Sequence, residues 1–438
     1  MTLRMILQST TNEPSEAEPA RAEPGPTGQI DGVDLQSLAQ QVQTPFYAYS
    51  ATAIRQRIAE LQAALHGLDA LVCFAVKANS NIAVLRLMHE CGVGADIVSA
   101  GELRRSLHAG IPAARIVFSG VGKREEEIAE ALAAGVSRFN VESRDELEML
   151  QRLAHAQQLT AHAAVRINPD VDARTHAKIS TGRAQNKFGV SVVEARSWFA
   201  DATMFPNVRL DGLHVHIGSQ ILGLDPFKRA LGRVARFWRE LELQGHEIDS
   251  IDVGGGLGVR YRSRDKPVAT RDYVDVIRDA FAGFPGRIVL EPGRWLVAEA
   301  GVLLTRVIRV KPGSRREFLV VDAAMNDLLR PSLYDAWHDI VPVSAMPGPV
   351  AAYDIVGPVC ETGDTFALAR DLPVCAAGDL LTINGAGAYG ASMASNYNSR
   401  PLVAEVLLDN GRYAIVRRRQ TFDDMIAGEQ FPEDWRSA

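Results

Sequence analysis

Side chains with chemical potential recur in this chain directly after short apolar runs. Lys77 follows one of them, in FAVKANSN. An isolated lysine is by default solvated surface. One held in a partly dry pocket loses some preference for its charged form and becomes an amine nucleophile able to form a Schiff base. DVGGGLG (252–258) sets Gly254, Gly255 and Gly256 after a second run, where backbone N–H groups can wrap an anion. Alone, a glycine cluster is as readily a tight turn. Ser219 in HIGSQ, and Gly293 and Arg294 in EPGR, could add contacts to the same anion from neighbouring runs.

A lysine beside a phosphate cradle suits a phosphorylated aldehyde better than a sugar phosphate, which needs no amine nucleophile. Glu291, also in EPGR, supplies an electronic argument. A carboxylate facing a pyridine nitrogen keeps it protonated, so the ring can accept the electron pair left when a bond to Cα breaks. The bland alternative is a local pair with Arg294 three residues on. His216 in HVHIG would stack on or beside such a ring, although a lone histidine is usually a satisfied core residue. Further on, GPVCETGD places Cys360 beside Glu361. A thiol can donate a proton to a carbanion, and a carboxylate can hold a substrate ammonium; Cys360 by itself would more often be packing. Arg330 and Tyr334 in LLRPSLY offer a fork for a carboxylate, and Tyr389 in GAGAYGASM could reach a phosphate or substrate oxygen.

The elements that must position these groups show a regular beat from residue 71 to about 300, with short apolar runs alternating with amphipathic segments. Eight strand candidates emerge: 71–76, 95–99, 115–120, 138–142, 163–168, 212–218, 250–256 and 287–293. Helical patterns such as SAGELRRSLHAG, REEEIAEALAAG and SRDELEMLQRLAHA follow them, two of the three ended by Gly. Eight βα units predict an α/β fold, a (β/α)8 TIM barrel over 51–300, whose site forms at the C-terminal ends of the strands. Lys77, Asp96, Arg166, His216, Gly254 to Gly256 and Glu291 to Arg294 fall in or at the ends of six of them. After residue 300, VLLTRVIRV, FLVVDAA, AAYDIVG, DLLTINGAG and AEVLLDN read as a β-rich C-terminal domain over 301–438. TPFYAYS (44–50) looks like a strand of that domain, so 29–50 is expected to join it.

The chain has 438 residues, 47% apolar and 23% charged, with net charge −6 and a pI near 6.0. That balance is ordinary for a globular protein and leaves no basic surface for nucleic acid or anionic membrane. Cys73, Cys91, Cys360 and Cys375 have neither metal-ligand nor disulfide-framework spacing, so free thiols and no metal are expected. Residues 1–28 are Pro-, Glu- and Ala-rich and lack a signal peptide's apolar core, which predicts a disordered tail on a cytoplasmic protein.

FAVKANSN, HVHIGSQ, DVGGGLG, EPGR, MNDLLRPSLY, GPVCETGD and GAYGASMASNYNSRP occur in this order. Together they closely resemble bacterial diaminopimelate decarboxylases of the alanine-racemase-like pyridoxal-phosphate fold, across roughly residues 30 to 425. The resemblance implies decarboxylation of meso-diaminopimelate to L-lysine, with pyridoxal phosphate carried on Lys77, His216 against its ring and Glu291 at its nitrogen. Asp96, Arg166, Ser219, Gly254, Gly255, Gly256, Gly293, Arg294 and Tyr389 complete the cofactor contacts so implied. Arg294, Arg330, Tyr334, Glu361 and Tyr389 resemble the substrate contacts. A homodimer is also implied, with Cys360 and Glu361 entering the partner's barrel, Cys360 or a water it positions returning the proton, and residues 172–189 closing over substrate. That loop reads HAK where many members carry Pro-Tyr, and ETGD replaces Glu-Ser-Gly-Asp.

Three other readings compete. Alanine racemase shares the barrel and lysine but pairs the pyridine nitrogen with Arg, against Glu291. Decarboxylases of ornithine, arginine or a carboxylated polyamine share the chemistry but usually carry Asp at the place of Glu361 or lack LLRPSLY. A non-catalytic binding relative would be expected to lose Lys77 or Cys360.

Overall fold

The computed structural model describes residues 28–173, 181–182 and 186–432. Apart from Gly28, the N-terminal tail lies outside the described residues, as does most of the loop assigned to substrate closure.

Eight parallel strands close into a barrel: Ala70–Ala75, Gly94–Ile97, Ile116–Phe118, Arg138–Val141, Ala161–Arg166, Val208–His214, Ser250–Asp252 and Arg287–Leu290. Strands covered on both faces read as continuous apolar runs, which is why the sequence exposes them. Their ends differ from expectation in a consistent way. The sixth strand stops at His214, the seventh at Asp252 and the eighth at Leu290. Gly254 (φ +68°) and Gly256 (φ +109°) take backbone conformations that leave the sheet. The motif residues beyond those ends therefore form the rim.

Helices clad the barrel with one apolar face each. In Leu224–Leu243 that face is Phe227, Ala230, Leu231, Val234, Trp238 and Leu241, at spacings of one, three and four. Ser99, Ser143 and Ser191 accept hydrogen bonds from the N–H three residues on and so fix where three helices begin. Gly135, left-handed at φ 77°, ends Glu125–Ala134.

The β-rich part is a sheet in the order Thr365–Pro373, Val350–Val356, Glu317–Val321, Gly301–Lys311, Phe46–Ser50, Ala404–Asp409 and Arg412–Arg417. Ile340–Pro342 and Leu380–Ile383 pair beside Gly301–Lys311. Phe46–Ser50 is wholly buried, antiparallel to Gly301–Lys311 and parallel to Ala404–Asp409. This sheet touches the barrel mouth through the Gly387–Tyr389 loop. Asn79 Nδ2 donates to the Gly387 carbonyl at 3.1 Å, and the Tyr389 N–H donates to the Ala78 carbonyl at 2.8 Å. Lys77 and Tyr389 are thereby held in register across two sheets. The four cysteines are free thiols, and no described helix is long and apolar enough to cross a membrane.

Candidate active site

At the barrel's C-terminal end a cavity of about 220 Å³ is lined by Lys77, Ser119, Arg166, His214, His216, Ser219, Glu291, Gly293, Arg294 and Tyr389, with Phe188 and Thr181 from the loop side. Lys77 stands in a single turn of helix after the first strand, and its Nζ donates to Asp96 Oδ2 at 2.6 Å. Burial pushes the amine's pKa down, but the Asp96 carboxylate, with Tyr389 and Glu291 behind it, outweighs burial and raises it. The expectation that a dry pocket weakens the charge on this lysine is thus corrected: the unreacted amine is an ammonium held by a fully buried carboxylate.

His216 lies two residues past the sixth strand. Burial first, then the Arg166 guanidinium, lowers its pKa to about 3, so the imidazole is neutral. The Gly255 N–H donates to His216 Nδ1 at 3.2 Å, which leaves the proton on Nε2. The Gly254 N–H is likewise taken, by Asp252 Oδ1 at 2.8 Å, so two of the three consecutive glycine donors in DVGGGLG already have partners. What the glycines provide is closeness. A Cβ on Gly254 would meet the Val215 carbonyl and His216, one on Gly255 the Glu291 carbonyl, and one on Gly256 the Gly218 carbonyl.

Arg294 aims at the cavity's other end. Its Nε and Nη2 donate to Ser219 Oγ at 3.2 and 3.1 Å, and its Nη1 to Tyr261 OH at 2.9 Å. Its guanidinium also lies over the Tyr389 ring, 4.8 Å from the centroid. The local Glu291–Arg294 pair weighed above does not form. Glu291 instead accepts from Ser119 Oγ and Asn140 Nδ2, each at 3.1 Å, and lies 3.3 Å from His214 Nε2. Burial would raise its pKa, yet His214, Lys77 and a hydrogen bond with Asp252 win, and the carboxyl stays ionised. Arg166 is held by Glu142 at 2.7 Å and lies over Phe188.

Eight sequence-predicted residues are not in the lining: Asp96, which reaches it through Lys77, Gly254 to Gly256, packed against His216, Glu291 and Gly218, and Arg330, Tyr334, Cys360 and Glu361, which stand farther apart. Arg330 is buried behind it, over the Tyr261 ring at 4.5 Å and 2.8 Å from His338 Nε2, with half-buried Tyr334 on the same short helix. Cys360 and Glu361 are exposed, and Glu361 accepts from Tyr397 OH at 2.7 Å. Ser119, Asn140, His214, Asp252 and Tyr261 escaped the sequence reading. For three of them a signal existed. Asn140, His214 and Asp252 are polar residues buried within barrel strands, where an unexplained polar group needs a reason.

An amine, a neutral imidazole, an ionised carboxylate and a guanidinium–hydroxyl pair thus converge on one cavity. They match the aldehyde, ring, ring nitrogen and phosphate of pyridoxal phosphate. A family model described as the pyridoxal binding domain of pyridoxal-dependent decarboxylases matches residues 51–298. Fold and site together define a pyridoxal-phosphate-dependent decarboxylase.

The diaminopimelate decarboxylase of Zymomonas mobilis is 47% identical over 405 residues, covering 92% of this chain and 96% of its own. That of Pseudomonas aeruginosa is 48% identical over 399 residues, covering 91% and 96%. The crystal structure of the Helicobacter pylori diaminopimelate decarboxylase complexed with L-lysine superposes with a TM-score of 0.87 at 42% identity, over 90% of this chain and 98% of that one. The chain belongs to the diaminopimelate decarboxylase family. The racemase reading falls with this assignment.

Proposed function

We propose that this chain decarboxylates meso-2,6-diaminopimelate to L-lysine and carbon dioxide, using pyridoxal phosphate held on Lys77. The observation that carries the reading is that Lys77 and Glu291 line one cavity, the first charged by Asp96 and the second kept ionised by its neighbours. Bound there, the cofactor supplies an electron sink for the pair released as carbon dioxide leaves.

The remaining work falls to side chains. Lys77, once its proton had passed to the neighbouring Asp96 carboxylate, would hold the cofactor through its aldehyde carbon, the aldehyde oxygen leaving as water. His216 would present a neutral face to the ring, adding no second positive charge beside a cationic nitrogen. Glu291 would accept the hydrogen bond from that nitrogen. Ser219, Arg294 and the close-packed Gly254, Gly255 and Gly256 receive the phosphate, with Gly293, Arg166 and Tyr389 around them. Tyr389, Arg294 and Arg330, with Tyr334, read the carboxylate at the retained amino-acid end.

Cys360 and Glu361 lie exposed, outside the lining of their own barrel's cavity. We assign them to a second subunit's site, in a homodimer where the Cys360 thiol, or a water it positions, returns the proton to Cα and Glu361 holds the distal ammonium. The division into a barrel over 51–300 and a β domain over 301–438 joined by 29–50 belongs to the same reading. So does a cytoplasmic location, which the free thiols favour.

The test is product analysis. Purified protein with pyridoxal phosphate should release lysine and carbon dioxide in equal amounts from meso-diaminopimelate, and Lys77→Ala should release neither. Equal turnover of ornithine or arginine would overturn the substrate assignment.

A further inference from the structure

Beside Glu291 two more acid–base side chains are buried without a role in the scheme above: His214, itself part of the cavity lining, and Asp252, outside it. His214 and Asp252 are each 1% exposed and sit at the last positions of neighbouring strands, the sixth and seventh. One ligand atom from each of His214, Asp252 and Glu291 lies within 4.8 Å of the others. The Asn140 amide bridges the two carboxylates, 3.1 Å from Glu291 Oε1 and 3.3 Å from Asp252 Oδ2. We propose that Asp252 and His214 are positioning residues for the cofactor, side chains that hold Glu291 as a hydrogen-bond acceptor aimed at the pyridine nitrogen. The inference rests on the assignment of Glu291 to that nitrogen.

The geometry determines how they act. Glu291 Oε1 is saturated by Ser119 and Asn140, so Oε2, beside His214, is the oxygen with freedom to turn. Two carboxylates this close, in a site this dry, do not both stay ionised. The charged and titratable groups around the pair include His214 at the end of the sixth strand, Lys77 with Asp96 across the barrel, Arg166 with His216 at the rim, Cys73 of the first strand and Tyr273 of the helix Thr270–Ala280. Asp252 already accepts from the Gly254 N–H, and burial next to Glu291 drives its pKa strongly up. Asp252 therefore carries a proton and donates it to Glu291, and the single negative charge of the pair stays on the residue that faces the ring. His214 Nε2 stands 3.3 Å from the Oε2 oxygen. A neutral hydrogen-bond donor at 252 is what the site needs, not an anion.

The experiment uses the full chain and two readouts besides turnover: the dissociation constant of pyridoxal phosphate from the apo protein, and the pH dependence of the bound cofactor's visible band. Glu291→Gln should change both. His214→Phe and Asp252→Leu should shift the band's titration the same way and weaken cofactor binding about tenfold or more. Asp252→Asn, still a donor and still uncharged, should bind within about threefold of wild type. Should Asp252→Leu fail to fold, His214→Phe and Asp252→Asn still decide. The inference is overturned if His214→Phe matches wild type while Glu291→Gln does not, or if Asp252→Asn is as impaired as Glu291→Gln. If Glu291→Gln itself leaves both readouts unchanged, the assignment of Glu291 fails and takes this inference with it.

Discussion

Lys77 Nζ and Asp96 Oδ2 are 2.6 Å apart, and the aspartate is fully buried while the lysine opens to the cavity. The pair stores the amine as an ammonium until the cofactor arrives. Because the folded-state pKa of Lys77 lies above the ordinary lysine value, the reactive neutral amine becomes more abundant only as pH rises towards it. Capture of pyridoxal phosphate by the apo protein should therefore accelerate steadily through the alkaline range. Asp96→Asn removes the counter-charge and should move that rise to lower pH. Stopped-flow absorbance at a series of pH values measures it, and coincident profiles for the two proteins would show that Asp96 does not control the amine.

Arg294 binds Ser219 and Tyr261 with three separate N–H groups, a geometry that needs a planar fork. Arg294→Lys keeps the charge and loses the fork. Charge-assisted hydrogen bonds contribute about 1.5–3 kcal/mol each, so cofactor affinity should fall by roughly one to two powers of ten in Arg294→Lys and further in Arg294→Ala. Fluorescence titration of the apo protein reads this directly. Inorganic phosphate should compete less well with pyridoxal phosphate in both variants than in wild type.

The barrel was legible because buried parallel strands announce themselves as apolar runs, and the rim residues because they follow those runs. The strand ends were not. HVHIG and DVGGG remain apolar beyond the last ladder bond, so hydrophobicity carries on where pairing has stopped. Asn140, His214 and Asp252 were hidden for a different reason: each is one polar letter among others in RFNV, VRLDGLH and SID, and the contacts to Glu291 that set it apart cross from strand to strand. Lys77 and Asp96 were both singled out, but nothing in their separate runs reveals that they touch. Cys360 and Glu361 show the remaining limit. Adjacency in GPVCETGD suggests chemistry, yet it does not say which cavity the two side chains serve.

Exposure of Cys360 and Glu361 makes the shared-site assignment testable by complementation. Lys77→Ala and Glu361→Ala homodimers should each be nearly inactive. Unfolded and refolded together in equal amounts, about half the dimers should be mixed, and each mixed dimer should hold one intact site, for recovery of roughly a quarter of wild-type activity. No recovery, with mixed dimers demonstrated by differential tagging, would place the whole site within one chain.

Lys123 offers a test of how the site is supported from below. Its side chain is 1% exposed, and Nζ donates to the Gly120 carbonyl at 2.8 Å, the Asn140 carbonyl at 2.7 Å and Glu146 Oε1 at 2.6 Å. It thus ties the end of the third strand to that of the fourth, just where Asn140 reaches for Glu291. Lys123→Met would leave the Glu146 carboxylate buried beside only the Glu142 N–H, a loss of about 3–5 kcal/mol for a broken buried pair. The pH dependence carries a definite sign. Burial already raises the Glu146 pKa in the presence of Lys123, and removing the cation raises it further. A carboxyl with a raised folded-state pKa favours folding most below its unfolded value, and that contribution is lost as pH climbs through the folded value. Lys123→Met should accordingly lose more stability than wild type does as pH rises above the ordinary carboxylate range, as followed by urea midpoints. Lys123→Met combined with Glu146→Met should recover most of the loss and flatten the pH dependence, because no charge is then left unpaired. A double variant as unstable as the single one would assign the damage to the severed Gly120 and Asn140 carbonyl contacts instead of to the stranded carboxylate.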